Sequence, residues 1–162
     1  MELIFYTEKE TSLIEQYQLS EEQLNFTGAP QNSIKLAEED DQRRCILLMD
    51  EGKLVSYFVL HEKDGAAPYS DNPKAILMRT FSTDVRYLGK GYGKAAIKLL
   101  PDFVRKHYPH VNEIVLAVNM GNLVAQSLYE KNGYIDHGRR KMGRKGEMKI
   151  LSLMLGQKAG VR

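Results

Sequence analysis

Leu88-Gly89-Lys90-Gly91-Tyr92-Gly93-Lys94 is the segment on which the reading of this chain turns. It puts three glycines between positions 89 and 93, directly before an amphipathic pattern. A glycine-rich turn that feeds a helix presents several backbone N–H groups at the positive end of the helix macrodipole, an arrangement that suits a phosphate. The same composition also serves a plain flexible connection from strand to helix. Two familiar phosphate loops fail here. A Walker loop needs a glycine five residues before Gly93 and a Ser or Thr after Lys94, where Leu88 and Ala95 stand. A dinucleotide fingerprint beginning at Gly89 needs a third glycine where Lys94 stands.

Working outward, the apolar positions Ala96, Leu99, Leu100, Phe103 and Val104 predict a helix to about His107. Pro101 inside it removes one backbone hydrogen bond and predicts a kink. Before the loop, Ala75 to Thr83 reads as a strand. After it, Glu113 to Val118 is rich in β-branched residues and reads as a buried strand. Asn122 to Asn132 predicts a second helix, stopped by Gly133 at its C′ position. Two last strands are expected near Tyr134–Arg140 and Met148–Leu155. Strand, glycine loop, helix and strand make one βαβ crossover. The first half places antiparallel material beside it. Leu3–Tyr6 is a short strand, and Thr7 with Glu10 and Ser20 with Gln23 carry capping-box patterns for two short helices. Gly28-Ala29-Pro30 is read as a break, and Arg44–Met49 with Lys53–His61 as a hairpin. The expected class is α+β, or mixed α/β, with a mostly antiparallel sheet.

Composition narrows the function classes. The 162 residues are the size of one domain, expected to span 1–162. A formal net charge of +2 does not argue for nucleic acid. No stretch reaches the ~20 apolar residues of a membrane span. One cysteine, Cys45, forms no internal disulfide, and Met1–Tyr6 lacks a signal-peptide pattern, so the cytoplasm is the expected location. The runs Glu38-Glu39-Asp40-Asp41 and Arg139-Arg140-Lys141 with Arg144-Lys145 are read as a solvated turn and a solvated hairpin, the basic one with a phosphate-bearing ligand as its second reading.

Two segments together carry a resemblance. The loop 88–93 is similar to the Arg/Gln-x-x-Gly-x-Gly/Ala coenzyme motif of the GNAT superfamily of acyl-CoA-dependent N-acyltransferases. Asn122-Leu123-Val124-Ala125-Gln126-Ser127-Leu128-Tyr129-Glu130-Lys131-Asn132-Gly133-Tyr134 resembles that family's Asn-x-x-Ala-x-x-Leu-Tyr-x-Lys-x-Gly-Phe/Tyr motif. The motifs cover roughly 75–135, and the order of elements agrees along the chain. One position departs: Leu88 stands at the Arg/Gln place. A second register uses Arg86, Gly89 and Gly91 instead; the first sets the helix start where the apolar spacing begins.

The resemblance implies acetyl-CoA as co-substrate, an amine acceptor, no metal, and a sheet whose strands splay at the coenzyme site. Leu88, Gly89, Lys90, Gly91, Tyr92, Gly93 and Lys94 would cradle the pyrophosphate, mostly by backbone amides. Backbone groups of Phe81 and Thr83 would hold the pantetheine arm and the acetyl carbonyl, and Asn119 and Asn122 would contact the coenzyme. Asn122 is equally a helix N-cap. Tyr129 matches the tyrosine that protonates the coenzyme sulfur, and a phenol is a competent acid toward a nascent thiolate. No carboxylate lies on Ala75–Thr83 to act as base, leaving Asp84 or a water chain. By alternation Arg79 shares the side of Phe81 and Thr83. The acceptor could be a polyamine-like or other small amine, an aminoglycoside-like compound or a protein amine, selected by residues 18–35 and 136–147. A homodimer is compatible with this reading. The rival readings are a coenzyme A-binding regulator without turnover and a binding module built on the 139–145 patch.

Overall fold

The computed structural model describes residues 1–156, so the end of the expected domain, 157–162, lies outside the described residues. One seven-stranded sheet gathers elements from almost the whole described chain. Its strands are β1 (Glu2–Phe5), β2 (Arg43–Asp50), β3 (Lys53–Glu62), β4 (Ala75–Thr83), β5 (Glu113–Asn119), β6 (Ile135–Gly143) and β7 (Gly146–Met154). Their order is β1-β2-β3-β4-β5-β7-β6. Every pairing is antiparallel except β4 with β5, the two ends of the βαβ crossover.

The helices cover both faces. The crossover helix α4 (Tyr92–His107) follows three helices in the first half, and α5 (Leu123–Lys131) follows β5. Ala96, Ile97, Leu100, Phe103 and Val104 of α4 and Tyr129 of α5 share one core with Ile46, Phe58, Ile76, Ile114 and Leu116. Leu99, expected inside, is 37% exposed, and Ile97 takes the buried position. α4 runs through Pro101 as one helix.

The opposite face of β2 and β3 is covered by α1 (Thr11–Gln16) and α3 (Pro30–Glu39), and the four-residue α2 (Glu21–Leu24) between them in the chain reaches the end of β4 through Gln23. Both capping boxes form: Thr7 opens a 3-10 turn leading into α1, and Ser20 caps α2. The helix opened by Ser20 is over before Gly28, as the break at Gly28-Ala29-Pro30 implies, and a helix that the sequence pattern did not announce begins at once after it. Proline at the first helical position has no N–H to lose and a backbone angle already set for the helix, so Pro30 begins α3. α3 brings Ile34 and Ala37 against Leu47 and Tyr57. Glu38 and Glu39 thus close a helix, and Asp40 is bound by Arg43 at 3.5 Å and His61 at 3.2 Å. In this second core Cys45 is buried and accepts a hydrogen bond from the Tyr57 hydroxyl at 3.0 Å.

Candidate active site

The crossover opens a gap in the middle of the sheet. β4 and β5 pair only at Ala75–Glu113, Ile76–Ile114 and Leu77–Val115. β4 then continues to Thr83 and β5 to Asn119 without pairing with each other. Beyond Leu77 and Val115 the facing edges of two central strands are therefore unpartnered by one another, a costly arrangement for buried backbone unless another molecule or water supplies the partners.

The glycine loop lies at the head of α4, beside this gap. Gly89 and Gly91 have φ of +78° and +83°, in the left-handed region that glycine adopts without steric cost. Gly91 is the N-cap of α4 and offers no side chain, so nothing local satisfies the first amides of the helix. Among the described residues the backbone hydrogen bonds here begin with Ala95 N–H to Gly91 C=O, 3.0 Å, and no protein acceptor takes the amides of 89–94. A Cβ on Gly89 or Gly91 would meet no protein atom within 4 Å, so the space above the loop is open. Those donors, at the positive end of a 16-residue helix, fit a pyrophosphate. Leu88 is 51% exposed, Lys90 and Lys94 are exposed, and the Tyr92 hydroxyl donates to Asp50 at 2.7 Å, so Tyr92 turns its side chain away and leaves its amide to the loop.

Gly93 faces the end of β4. A Cβ there would lie 3.6 Å from Thr83 Oγ1 and 3.7 Å from Phe81 Cζ. Phe81 in turn stacks near Phe58 (6.2 Å between centroids) and Tyr129 (6.4 Å), which joins the loop to α5 through one aromatic ring. Tyr129 is buried, and burial alone pushes its phenol well above the ordinary tyrosine value, so it holds its proton through neutral pH. No protein group among the described residues hydrogen-bonds its hydroxyl. The structure thus brings Phe81, Thr83 and Gly93 together at the end of β4, with the Tyr129 ring 6.4 Å from that of Phe81.

Asn119 and Asn122 hold the turn from β5 into α5. Asn122 Oδ1 accepts from Ala125 N–H at 3.2 Å, an N-cap. The Asn119 side chain accepts from Gly121 N–H (2.9 Å) and donates to the Lys145 carbonyl (3.1 Å), tying the turn to the last hairpin. Gln126, which no sequence pattern singled out, is buried and donates to the carbonyls of Asn119 and Met120.

Three features at and around the end of β4 differ from the pattern of the sequence. Thr80 has φ of +59°, rare for a β-branched residue, and Phe58 of β3 faces both Thr80 and Phe81. This bulge breaks the alternation that was to put Arg79 beside Phe81. Arg79 instead lies opposite Val59, on the other face of the sheet, with NH1 3.4 Å from His61 Nδ1. Asp84 is fully buried and not free to act as base. Its carboxylate accepts from Arg86 Nε and Arg86 NH2 (3.0 and 2.8 Å), from Arg86 N–H (2.9 Å) and from Gln18 N–H (3.1 Å). Burial raises its pKa, but the Arg86 hydrogen bonds prevail and hold it below the ordinary carboxylate value. Gln23 uses both ends of its amide: Oε1 accepts from Ser20 N–H, and Nε2 donates to the Thr83 carbonyl at 2.7 Å. The capping box flagged the first contact, and nothing local could flag the second. The Thr83 hydroxyl lies 2.7 Å from Ser56 Oγ.

A family model described as the acetyltransferase (GNAT) family matches residues 6–134. A protein of Bacillus subtilis (strain 168) named as the uncharacterized N-acetyltransferase YbbJ is 37% identical over 150 residues, which is 92% of this chain and 94% of that protein. In fold, the chain is similar to the aminoglycoside acetyltransferase AAC(6')-Ib in complex with coenzyme A and kanamycin. That match has a TM-score of 0.76 at 17% identity and covers 94% of this chain and 93% of that one. It is also similar to the spermidine N-acetyltransferase from Vibrio cholerae in complex with CoA and spermine (TM-score 0.72, 17% identity, 95% of each chain). At those identities the likeness is one of fold.

Proposed function

Because the chain belongs to the GNAT family of acetyltransferases, we propose that it moves an acetyl group from acetyl-CoA directly to a primary amine of a small molecule. In this reading the glycine loop holds the pyrophosphate, the gap between β4 and β5 takes the pantetheine arm, and Tyr129 protonates the departing sulfur. The observation that carries it is the convergence of unpartnered loop amides, an unpaired pair of strand edges and, one aromatic ring away, a buried phenol that no described residue hydrogen-bonds.

The amine nitrogen attacks the thioester carbonyl carbon, the C–S bond breaks, and the sulfur leaves with the proton of the Tyr129 hydroxyl. The nitrogen releases its own proton to water, since Asp84 is committed to Arg86 and Gln18, and a proton from water returns to the Tyr129 oxygen, so the phenol is restored for the next turnover. Phe81 and Thr83 border the gap on the β4 side, with the Thr83 carbonyl already engaged by Gln23. Asn119 and Asn122 fix the start of α5, which sets where Tyr129 points. Leu88 lies at the rim, exposed, and Gly89 to Lys94 supply amides rather than side-chain chemistry.

The test is release of free thiol from acetyl-CoA in the presence of a panel of primary amines. Acceptor-dependent release, with the acetylated amine found by mass spectrometry, is the expected result. Coenzyme A binding without any acceptor-dependent release would favour the regulator reading.

A further inference from the structure

The gap between β4 and β5 opens on two faces, and the second is lined by cations. The last pair joining the strands, Leu77–Val115, packs against Ala66 and Tyr69 on the face opposite the α4–α5 core. Arg79 is the next residue of β4 on that face, so it stands where the strands have parted. It is half-buried, and its one side-chain hydrogen bond among the described residues is to a neutral partner, His61. Burial, Arg43 and Arg79 itself hold His61 below the ordinary histidine value, so Nδ1 accepts from Arg79 while Nε2–H donates to Asp40. Burial and Arg43 also weigh against the charge of Arg79. Among the described residues no carboxylate pairs with it. Lys141 of β6 reaches the same face, with Nζ 5.3 Å over the Tyr69 ring and no carboxylate partner among the described residues. The acids nearby already have partners: Asp40 has Arg43 and His61, Asp71 has Arg139, and Glu113 has Ser70, Asn72 and Ser152.

A half-buried guanidinium without a counter-charge is costly, and a planar fork of N–H donors matches a carboxylate or phosphate. We propose that the acceptor is a primary amine that also carries an anionic group, a carboxylate or phosphate, held by Arg79 and Lys141 while its nitrogen reaches the gap. A polycationic amine would meet like charge at this face. The inference rests on the acetyltransfer reading above and names its substrate class.

The experiment measures kcat/KM at saturating acetyl-CoA for matched acceptors. One set is 4-aminobutyrate, 4-aminobutanamide and 1,4-diaminobutane, with glycine, β-alanine and their amides to vary the reach. A second set is O-phosphoethanolamine against ethanolamine, which separates phosphate from carboxylate. The best anionic acceptor should exceed its neutral and cationic counterparts by about tenfold or more, the scale of a hydrogen-bonded charge pair. Arg79→Gln should raise KM for that acceptor, leave kcat nearly unchanged and collapse the preference toward one, with coenzyme affinity as in the parent. Preference for the diamine, or a preference for anions that survives Arg79→Gln, overturns the assignment and leaves acetyl transfer standing. Failure to bind coenzyme A in calorimetry removes the acetyltransfer reading and this inference with it.

Discussion

Replacing Gly91 with valine tests the loop in a way that separates strain from ligand contact. At φ of +83° a β-branched residue is forced into the left-handed region, at a cost of about 1–2 kcal/mol. For a chain of this size each kcal/mol lowers Tm by about 2–4 °C, so the variant should melt about 2–8 °C lower. The Cβ of the new side chain would meet no protein atom within 4 Å, so the space it enters is the space above the loop that the ligand would use. Gly138 provides a matched control. It has φ of +91°, open surroundings and a place in the edge strand β6. Gly138→Val should lose similar stability. Titration calorimetry with coenzyme A should then show affinity reduced at least tenfold, about 1.4 kcal/mol, in Gly91→Val and unchanged in Gly138→Val. Equal affinity in the two variants would refute the loop as the phosphate cradle, however the melting temperatures fall.

Tyr129→Phe removes a hydroxyl that no described residue bonds, so Tm and coenzyme affinity should hold while single-turnover acetyl transfer slows by about 10²-fold or more, less with an acyl donor of more acidic thiol. Full single-turnover activity would take Tyr129 out of the mechanism. Leu88→Gln should fold as the parent, because the side chain is 51% exposed, and should bind coenzyme A at least as tightly; a large drop in Tm would contradict the register. Asp84→Asn should lower Tm by unclamping the β4–α4 connection from Gln18. Since Asp84 titrates below its ordinary value when folded, the clamp is complete above the unfolded carboxylate pKa of ~3.9 and fades as pH falls through the lowered value. The Tm gap between parent and Asp84→Asn should therefore be full at pH 7 and narrow in strong acid.

What was legible in the sequence was local. Three glycines before an amphipathic run, Asn122 before α5, Gly133 after it and the two capping boxes each state their geometry within a few residues, and the structure shows each of those elements. The parallel pair followed from the alternation of strand and helix. What was not legible depended on distant partners. Arg79 changes face because Thr80 takes a conformation that its own side chain disfavours and that only the packed sheet enforces. Asp84 reads as a spare acid until Gln18, 66 positions earlier, is seen to bond it. The helix that Pro30 begins was not legible for a different reason. The same residue that ends a helix also begins one, and the apolar positions Ile34 and Ala37 behind it were too few to decide. Gln23 was recognised for the contact its own helix needs, and its second contact, to Thr83, became visible only when α2 was set against β4.

The parting of β4 and β5 has a mechanical meaning as well. Past Leu77–Val115 the sheet is two leaves, β1 to β4 and β5 to β6, sewn together by three residue pairs and the α4 crossover. A slender chain with amide groups of its own, laid along the opening, would occupy the berth of an eighth strand and carry the hydrogen-bond ladder from one leaf to the other. Loading and release are then events in the continuity of the sheet. Amides of residues 78–83 and 116–119 that face the opening should exchange with solvent faster than those of the leaf interiors in the empty protein, and slow together when the seam is filled.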